Sequence, residues 1–488
     1  MHKHHAGSLR AQAPRWRAFH PGSLLLAPGF VLSLLRTLAL LTPLVLMADP
    51  ADVIVTAHYV VTMDADRHLI LDGAIAVRGE HIVAVGPRAD IERQFQAAKH
   101  LDKGDAIVMP GLINTHAHAA MSLFRGIADD MNLQDWLNKF IFPAEKKNVN
   151  AEFVKWGTRL ACLEMLRGGI TTYTDMYYYE DTVAATTREA GIRGVLGETV
   201  IGFPVNDAPT PAAALKLAEG FIRHYHNDPL ITPAIAPHAP YTNSNETLKE
   251  CRAMALHYNA PVLIHLSETK KENEDSLREY HMTPAQRLDS LGFFRGHTLV
   301  AHAVWVTDND IAILKRNDTG VAHCPSSNMM LASGVAPVVK MLDHGLNVGL
   351  GTDGPAGSNN DFDLFEEMDL AAKLQKLTNM DPRALPAKTA VAMATIKGAK
   401  ALGLAKEIGS LEAGKRADLI TLRLDRAHAV PMYDVYSQIV YALKSSDVID
   451  VMVNGKIVVE NTKCLTIDAQ STIAKAKEYG VKIAQSLK

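Results

Sequence analysis

Two histidines lie one residue apart in the stretch GLINTHAHAAMS, which spans residues 111 to 122. His116 and His118 follow a short apolar run, and residues two apart on a β-strand point to the same face. Two neutral imidazoles that converge from one strand end suit a divalent transition metal, zinc above all. The competing interpretation is a pair of partly exposed loop histidines, because the pattern is short and the chain contains 21 histidines.

Eight short apolar runs follow one another between residues 110 and 408, and each ends in a polar side chain. The polar ends are, in chain order, His116 with His118, Asp175, Glu198, His238, His265 with Glu268, His302, His323 and Asp353. Short, nearly continuous apolar runs are typical of buried parallel strands. Amphipathic segments separate them, so the pattern predicts an α/β fold with eight βα units, the number in a (β/α)8 TIM barrel.

Such a barrel would bring all eight strand ends to one face, where its active site lies. His116, His118, His265 and Asp353 would then supply three imidazoles and one carboxylate from strands 1, 5 and 8. This donor set leaves one position open for water, whose pKa a zinc ion lowers toward ~7. A doubly wound open sheet is the structural alternative, but no G-x-G-x-x-G follows the first run to support dinucleotide binding there.

We call the predicted set of His116, His118, His265 and Asp353 the metal cage. Three side chains in or near it could hold or move protons. Glu268 follows His265 by three residues and, once desolvated, could deliver a proton to a ring nitrogen of a substrate. Asp353 could both bind the metal and accept a proton from water, and His302 could hold that water in line. No lysine closes any of the eight runs, so the sequence favours one metal ion over two ions bridged by a carbamylated lysine.

The chain on either side of the predicted barrel has a different pattern. Residues 52–109 and 409–465 alternate apolar and polar residues between frequent glycines, which predicts short strands. We expect the two segments to form one discontinuous β-sandwich domain, with the barrel, residues 110–408, inserted into it. Residues 466–488 are expected to form a C-terminal helix.

The first 47 residues are basic, with no acidic residue before Asp49, and lead into the apolar stretch TLALLTPLVLMA at 37–48. Twelve residues are fewer than the ~20 that a membrane span needs. We therefore expect residues 1–47 to be a dispensable or non-native extension, and Met47 to be the natural start. A secretion signal is the first alternative, and a membrane-associated segment is the second.

The bulk composition is that of an ordinary globular protein, with 48% apolar and 21% charged residues in 488. A net charge of −3 argues against a nucleic-acid partner. The four cysteines are far apart and form no C-x-x-C, which fits a reduced, cytoplasmic chain. We expect no membrane partner, and a homo-oligomer is compatible with the sequence.

Several longer motifs surround the predicted site residues. They are PGLINTHAHAAMSLFRGIADD, LQDWLNKFIFPAE, APHAPYT, VLIHLSET, AHAVW, GTDG followed by SNN, and GSLEAGKRADL. Together they resemble the amidohydrolase superfamily in its cytosine/adenosine-deaminase-like branch, and in particular the 5-methylthioadenosine/S-adenosylhomocysteine deaminase family. The resemblance covers about residues 52 to 465. The H-x-E and P-C-x-x-C signature of the other zinc-deaminase fold is missing.

The resemblance implies a role for each matching residue. His116, His118, His265 and Asp353 would bind one zinc ion per subunit, with Fe²⁺ as the alternative metal. Glu268 would protonate N1 of an adenine ring, Asp353 would take a proton from the hydrolytic water, and His302 would orient that water. His323 and Ser358 also match the family pattern, without a defined role.

Three further matches would contact the nucleoside. Glu145 would hold the ribose hydroxyls, His238 would contact the nucleoside, and Trp136 would pack near it. The competing interpretation of Glu145 is a solvated acid at a helix end, and that of Trp136 is plain packing. The resemblance thus implies a zinc-dependent aminohydrolase that acts on cyclic amidines. It would convert 5′-methylthioadenosine, adenosine or S-adenosylhomocysteine to the inosine derivative and ammonia.

Other functions stay open at this point. One is a sister amidohydrolase, such as a guanine or pterin deaminase or a triazine chlorohydrolase. Glu268 argues against halide displacement because chloride leaves without a proton, and PHAPY and IFPAE favour a nucleoside over a bare base. A non-catalytic, metal-stabilised protein is a further alternative, but it would be expected to have lost ligands.

One departure from the family pattern bears on specificity. Family members often carry an arginine after strand 3, which suits the carboxylate of a homocysteine tail. This chain has Glu198 in the matching stretch and no arginine between Arg193 and Arg223. We therefore expect Glu198 to place negative charge near the tail of the substrate and to favour uncharged tails over S-adenosylhomocysteine.

Overall fold

The structure, a computed structural model, describes residues 48–488. The extension predicted for residues 1–47 lies outside the described residues. Five strands open the described chain: β1 (Asp49–Val61), β2 (Leu69–Arg78), β3 (His81–Pro87), β4 (Phe95–Asp102) and β5 (Ala106–Pro110). β1 is buried on both faces, since Val53 and Val55 join one apolar cluster and Ile54 joins another. Its valine-rich sequence is typical of a strand with two covered faces.

The eight predicted apolar runs form the eight strands of a closed parallel barrel. They are β6 (Leu112–Ala117), β7 (Ile170–Tyr177), β8 (Arg193–Val200), β9 (Ile231–Pro237), β10 (Val262–Leu266), β11 (Thr298–His302), β12 (Gly320–His323) and β13 (Val348–Leu350). β13 closes the barrel by pairing with β6, with Leu350 opposite Asn114. The predicted (β/α)8 barrel is confirmed.

Four more strands follow the barrel: β14 (Leu419–Arg423), β15 (Val448–Val453), β16 (Lys456–Glu460) and β17 (Lys463–Cys464). β14 pairs antiparallel with β5, which joins the strands from both ends of the chain into one nine-stranded sheet. Val55, Ile75, Leu419 and Met452 meet in one apolar cluster, so strands from both ends of the chain share a core. The β-domain is therefore discontinuous in sequence, as expected, while its boundaries at 110 and 408 stay a prediction.

Helices α1 to α17 connect the strands. Their bounds are α1 (Arg88–Gln94), α2 (Leu133–Asp135), α3 (Phe142–Asn148), α4 (Ala151–Arg167), α5 (Glu180–Ala190), α6 (Pro211–Tyr225), α7 (Asn245–Tyr258), α8 (Lys270–Tyr280), α9 (Pro284–Ser290), α10 (Asp308–Arg316), α11 (Pro325–Met330), α12 (Val338–Asp343), α13 (Leu364–Asn379), α14 (Ala387–Met393), α15 (Ile396–Ala401), α16 (Val435–Ser437) and α17 (Ala469–Ser486). Short 3₁₀ turns cover Ala119–Phe124, Pro240–Thr242, Ala427–Ala429 and Ser445–Asp447, and π-helical turns cover Trp136–Ile141 and Gln438–Ala442.

Local sequence signals set the ends of the barrel helices. Asn150 caps α4 by accepting from the backbone N–H groups of Glu152 and Phe153. The α5 helix ends at Gly191, whose φ of 74° is left-handed and suits a residue without a Cβ. These stops keep each helix short enough for the chain to return to the start of the next barrel strand.

The barrel interior fixes which strand residues face the site. Ile113, Val195, Leu263 and Leu299 pack together inside the barrel, with Ala399 of α15 below them. Parallel strands all point the same way, so their carboxyl ends open on one face above this packed layer. Between residues 48 and 488, no helix is both long and apolar enough to cross a membrane.

Candidate active site

Four side chains predicted as metal ligands converge above the barrel core. The Asp353 Oδ1 atom lies 3.3 Å from His116 Nε2 and 3.2 Å from His118 Nε2. The ring centre of His265 lies 4.9 Å from that of His116 and 5.5 Å from that of His118. His302 is also close, since one donor atom each of His116, His265, His302 and Asp353 lies within 4.8 Å of the others. The structure thus brings together residues that are up to 237 positions apart in the chain.

Backbone carbonyls fix the orientation of two of these imidazoles. His118 Nδ1 donates to the Met176 carbonyl at 2.7 Å, and His265 Nδ1 donates to the His238 carbonyl at 2.7 Å. A carbonyl oxygen only accepts, so each Nδ1 carries a hydrogen, and Nε2 is the atom that faces the centre of the cage. Burial lowers the pKa of His118, but the hydrogen bond and charge of Asp353 outweigh it and raise the pKa to about 9, so a metal ion would displace a proton from this Nε2 atom. His116 Nε2 is buried without a hydrogen-bond partner in the described chain, as expected of an atom that binds a metal.

Asp353 remains ionised although it is buried. Burial would raise the pKa of this carboxyl group, but its interactions with the nearby rings of His116 and His118 outweigh burial, and the pKa lies well below its ordinary value. The second oxygen, Oδ2, accepts a hydrogen bond from the Ser327 hydroxyl at 2.7 Å. The backbone at Asp353 has a φ of 65°, in the left-handed region that few residues with a side chain adopt. Neutral imidazoles with one carboxylate are a donor set that fits Zn²⁺ or Fe²⁺.

Glu268 has the opposite protonation preference. Burial raises its pKa to about 8, the charge of Asp353 adds to this, and His118 opposes it. Its Oε2 atom lies 3.9 Å from His302 Nε2. His302 is fully buried, its Nδ1 donates to the Asn328 amide oxygen at 3.1 Å, and its backbone has a φ of 72°. A protonated carboxyl and an oriented imidazole therefore face the open side of the cage.

One cavity, which we call the inner pocket, lies over the cage. Its lining includes all the residues predicted to act in catalysis or to contact the substrate: Trp136, Glu145, His238, Glu268, His302 and Asp353. The positions of these residues agree with the prediction, whereas their chemical roles stay predictions.

Glu145 is buried, with 5% of its surface exposed, so the alternative of a solvated acid at a helix end is wrong. Burial raises its pKa to about 7, and a hydrogen bond from Tyr177 opposes the rise. The Tyr177 hydroxyl donates to Glu145 Oε1 at 2.7 Å. The Glu145 carboxylate lines the inner pocket, where its oxygens can accept hydrogen bonds from a ligand.

Trp136 and His238 line the pocket and also have structural contacts. The Trp136 indole N–H donates to the Ala356 carbonyl at 2.7 Å, which ties the π-helical turn to the loop after β13. The His238 ring forms a hydrogen bond with the Thr242 hydroxyl at 3.2 Å. Burial and the charge of His118 lower the pKa of His238 to about 3, so the ring is neutral.

Glu198 does not reach the inner pocket, so the expectation that its charge acts on a substrate tail is wrong. Alternation along β8 turns Thr199 into the pocket and Glu198 away from it. Glu198 instead accepts from the Glu180 backbone N–H at 3.1 Å, behind the barrel wall. Burial, together with the charge of Asp207, raises its pKa well above the ordinary value.

Two other polar strand ends, Asp175 and His323, and the loop residue Ser358 also lie outside the pocket lining. Asp175 accepts from the Ala119 backbone N–H at 2.6 Å and so holds the chain just after His118. His323 is fully buried, and neither of its ring nitrogens has a partner within residues 48–488. The Ser358 hydroxyl donates to the Gly354 carbonyl at 2.7 Å and stabilises the loop after Asp353.

Sequence reasoning missed the residues that support the site. Ser327 donates to the Asp353 carboxylate, and Tyr177 donates to Glu145. Glu272 accepts from the backbone N–H groups of Ser267 and Glu268 at 2.9 and 2.8 Å, which fixes the turn after β10. Ser327 and Tyr177 have no spacing signal of their own. Only the three-residue step from Thr269 to Glu272 at the start of α8, the spacing of a capping box, could have drawn attention to Glu272.

Comparison with known proteins gives a consistent result. The model of the amidohydrolase family matches residues 107–458, and that of the imidazolonepropionase-like composite domain of bacteria matches residues 73–95. A 5-methylthioadenosine/S-adenosylhomocysteine deaminase from Thermodesulfovibrio yellowstonii is 45% identical over 435 residues, which are 89% of this chain and 99% of that protein. A 5′-deoxyadenosine deaminase from Methanosarcina barkeri is 43% identical over 88% of this chain and 97% of that protein.

Solved structures agree with this. An adenosine deaminase from Xanthomonas campestris with bound zinc superposes with a TM-score of 0.88 at 37% identity, over 90% of this chain and 100% of that one. A guanine deaminase from C. acetobutylicum reaches a TM-score of 0.74 at 26% identity, over 83% of this chain and 99% of that one. This chain belongs to the amidohydrolase family and, within it, to the 5-methylthioadenosine/S-adenosylhomocysteine deaminase family.

Proposed function

We propose that this protein is a metal-dependent hydrolytic deaminase that converts adenine nucleosides to the inosine derivative and ammonia. Its substrates are 5′-methylthioadenosine, adenosine and S-adenosylhomocysteine. The observation that carries the proposal is one pocket that combines a His/Asp metal cage, the proton-bearing Glu268 and the buried acceptor Glu145. The deaminase relatives support the same reaction type.

The metal would be one Zn²⁺ per subunit, held by His116, His118, His265 and Asp353, with Fe²⁺ as the alternative. When bound, it supplies Lewis-acid chemistry that makes water a nucleophile near neutral pH. The zinc in the Xanthomonas campestris adenosine deaminase supports this choice.

The protein side chains would move the protons of the reaction. Glu268 gives its proton to N1 of the purine as water adds to C6, so the electron pair of the N1=C6 bond passes to N1 without leaving a negative charge there. Asp353 accepts a proton from the attacking water through a carboxylate oxygen, and His302 holds that water in line. The proton on Asp353 then passes to the amino group, the bond from C6 to this nitrogen breaks, and ammonia leaves. The C6 hydroxyl gives its proton back to Glu268 as the carbonyl of the inosine product forms.

Glu145 would bind the sugar of the nucleoside. A carboxylate oxygen can accept hydrogen bonds from a vicinal diol, and Tyr177 keeps the Glu145 carboxylate in place. His238 and Trp136 would contact the nucleoside from opposite lining segments of the inner pocket. These contacts favour a nucleoside over the bare base of a guanine or pterin deaminase.

Release of ammonia tests the proposal. The purified protein, loaded with zinc, is given adenosine, 5′-methylthioadenosine, S-adenosylhomocysteine, guanine and a chlorotriazine. We expect ammonia from the adenine nucleosides and neither ammonia from guanine nor chloride from the triazine. Turnover of guanine or of the triazine alone would contradict the assignment and support a sister amidohydrolase.

We also propose a cytoplasmic location and a small-molecule nucleoside as the only substrate class, without a nucleic-acid or membrane partner. All four cysteines are free and buried, which fits a reducing compartment. Whether the enzyme forms a homo-oligomer is tested by light scattering on the purified protein.

A further inference from the structure

A second cavity, which we call the outer pocket, opens beside the inner one. The two cavities share Phe142, Glu145 and Tyr178 in their linings, so Glu145 lies at the boundary between them. The remaining lining of the outer pocket consists of Asn138, Pro143, Lys146, Phe203, Pro204, Val205 and Asn206.

The boundary position of Glu145 determines what would enter the outer pocket. This step rests on the proposed function, with the adenine over the metal cage and the ribose hydroxyls at Glu145. The 5′ carbon is attached to C4′ of the same sugar, on the ring face opposite the 2′ and 3′ hydroxyls, and its substituent extends away from the adenine. The cavity that adjoins the inner pocket at Glu145 is the outer pocket, which is the space beside the sugar that this substituent would enter.

The outer pocket offers apolar surface and little free hydrogen-bonding capacity. Phe142, Phe203 and Val205 supply its aromatic and aliphatic wall. The Asn206 amide already donates to the carbonyls of Glu145 at 3.0 Å and of Val149 at 2.6 Å. The Asn138 amide likewise donates to the Gln134 carbonyl, at 2.8 Å.

Charged groups are also scarce around this cavity. No arginine is present in the described lining, and its one cation is Lys146, an exposed side chain on α3. Lysine is a strongly hydrated point charge on a flexible stem and does not offer the paired donors with which arginine binds a carboxylate. A charged tail would therefore lose hydration here without gaining a fixed partner.

The loop that carries Phe203 is held in place before any ligand binds. The Gly202 backbone N–H donates to the Thr242 carbonyl at 2.8 Å, and a Cβ at Gly202 would lie 2.5 Å from that oxygen. Val205 N–H donates to the Ala208 carbonyl at 2.9 Å. The Phe203 ring packs edge-on against Phe142, with 5.1 Å between ring centres. This pair joins the loop after β8 to the start of α3.

We propose that the outer pocket receives the 5′ substituent of the nucleoside, and that Phe142 and Phe203 select an uncharged, apolar tail of the methylthio class. A thioether methyl group fits an aromatic wall, since sulfur interacts favourably with ring edges. An amino-acid tail has two charged groups that this wall cannot pair. Phe142 and Phe203 are thus specificity-determining residues.

Steady-state kinetics with three nucleosides test the proposal on the zinc-loaded enzyme. We compare kcat/KM for adenosine, 5′-methylthioadenosine and S-adenosylhomocysteine in wild type, Phe203→Ala and Phe203→Arg. Wild type should prefer 5′-methylthioadenosine over S-adenosylhomocysteine by about 10-fold or more. Phe203→Ala should lower kcat/KM for 5′-methylthioadenosine relative to that for adenosine by about 10-fold. Phe203→Arg should raise kcat/KM for S-adenosylhomocysteine relative to that for 5′-methylthioadenosine by a similar factor.

Phe140→Ala is the matched control. Phe140 lies two residues before Phe142, is 39% exposed, and lines neither pocket. All three substrate ratios should keep their wild-type values in this variant.

Three results would overturn the proposal. The first is that S-adenosylhomocysteine is the best substrate of the wild type. The second is that Phe203→Ala lowers kcat/KM for all three substrates by the same factor. The third is that Lys146→Met lowers kcat/KM for S-adenosylhomocysteine alone, because that would assign a carboxylate-binding role to Lys146. Each of these leaves adenine-nucleoside deamination intact, whereas failure to deaminate adenosine or its 5′ derivatives at all would refute the proposed function itself.

Discussion

At the scale of single residues, the site depends on keeping buried groups in different protonation states. Burial keeps His265 neutral and Glu268 protonated, whereas Asp353 is kept ionised beside His118, whose pKa it raises to about 9. A metal cage needs nitrogen donors and a negative charge, and an acid catalyst needs a proton to give. Burial alone would neutralise both carboxyl groups, so the interactions of Asp353 with His116 and His118 create the difference between them.

Replacement of Glu268 tests the assignment of the acid. Glu268→Gln keeps the shape and the metal ligands but removes the transferable proton. We expect kcat for adenosine to fall by about 10²-fold or more, the scale of lost general acid–base catalysis, while zinc content stays at one ion per subunit. The measurement is ammonia release together with elemental analysis. Normal turnover by the variant would mean that Glu268 is structural.

Removal of one imidazole tests the cage. His265→Ala leaves three ligands and a cavity at the end of β10, and we expect loss of both bound zinc and turnover. Elemental analysis and ammonia release measure the two effects. His257→Ala is a control, because His257 lies on α7, is exposed, and is not among the side chains of the cage. Full activity in a metal-free preparation would rule out the metal-dependent reaction.

At the scale of elements, α13 braces the loop that carries Asp353. Glu367 on this helix is fully buried, and its two carboxylate oxygens accept from the Ser326 backbone N–H at 3.2 Å and from the Asn359 amide at 3.1 Å. Ser326 precedes Ser327, which donates to Asp353, and Asn359 also donates to the Thr352 carbonyl at 3.0 Å. One side chain thus supports the metal-binding carboxylate from two directions.

Loss of the hydrogen bonds to Glu367 should weaken metal binding although no metal ligand is replaced. We expect Glu367→Ala to lower zinc affinity by about 10-fold or more, the range for groups that orient ligands, and Glu367→Gln to restore part of it. Competition with a chelator measures the affinity. Glu366→Ala is the control, since Glu366 is the exposed neighbour on the same helix. Equal zinc affinity in wild type and Glu367→Ala would show that α13 has only a general structural role.

Element positions could be predicted from the sequence better than side-chain directions. The eight apolar runs matched eight strands because buried parallel strands have a local composition signal. Glu198 was misassigned because it ends such a run, yet strand alternation turns it behind the barrel wall, and a one-residue difference decides the direction. Glu367 and Ser327 could not be found, because their partners become neighbours only when the barrel closes.

At the scale of the whole molecule, the described fold begins at β1, directly after the segment predicted to be dispensable. We expect a chain that starts at Met47 to match the full chain in solubility, thermal midpoint and kcat. Thermal unfolding and ammonia release of the two proteins side by side make the comparison. A lower thermal midpoint for the shorter chain would show that residues 1–46 contribute to the stability of the enzyme.

The pairing of β5 with β14 has a consequence for synthesis of the protein. β5, with the sequence AIVMP, leaves the ribosome before the entire barrel, whereas its neighbour β14 emerges after it. Throughout that interval one edge of an apolar strand lacks its hydrogen-bonding neighbour, and such edges attract other chains. A nascent chain that stops before residue 419 therefore exposes the unpaired edge of β5. We expect chaperones to bind this form and aggregates to incorporate it.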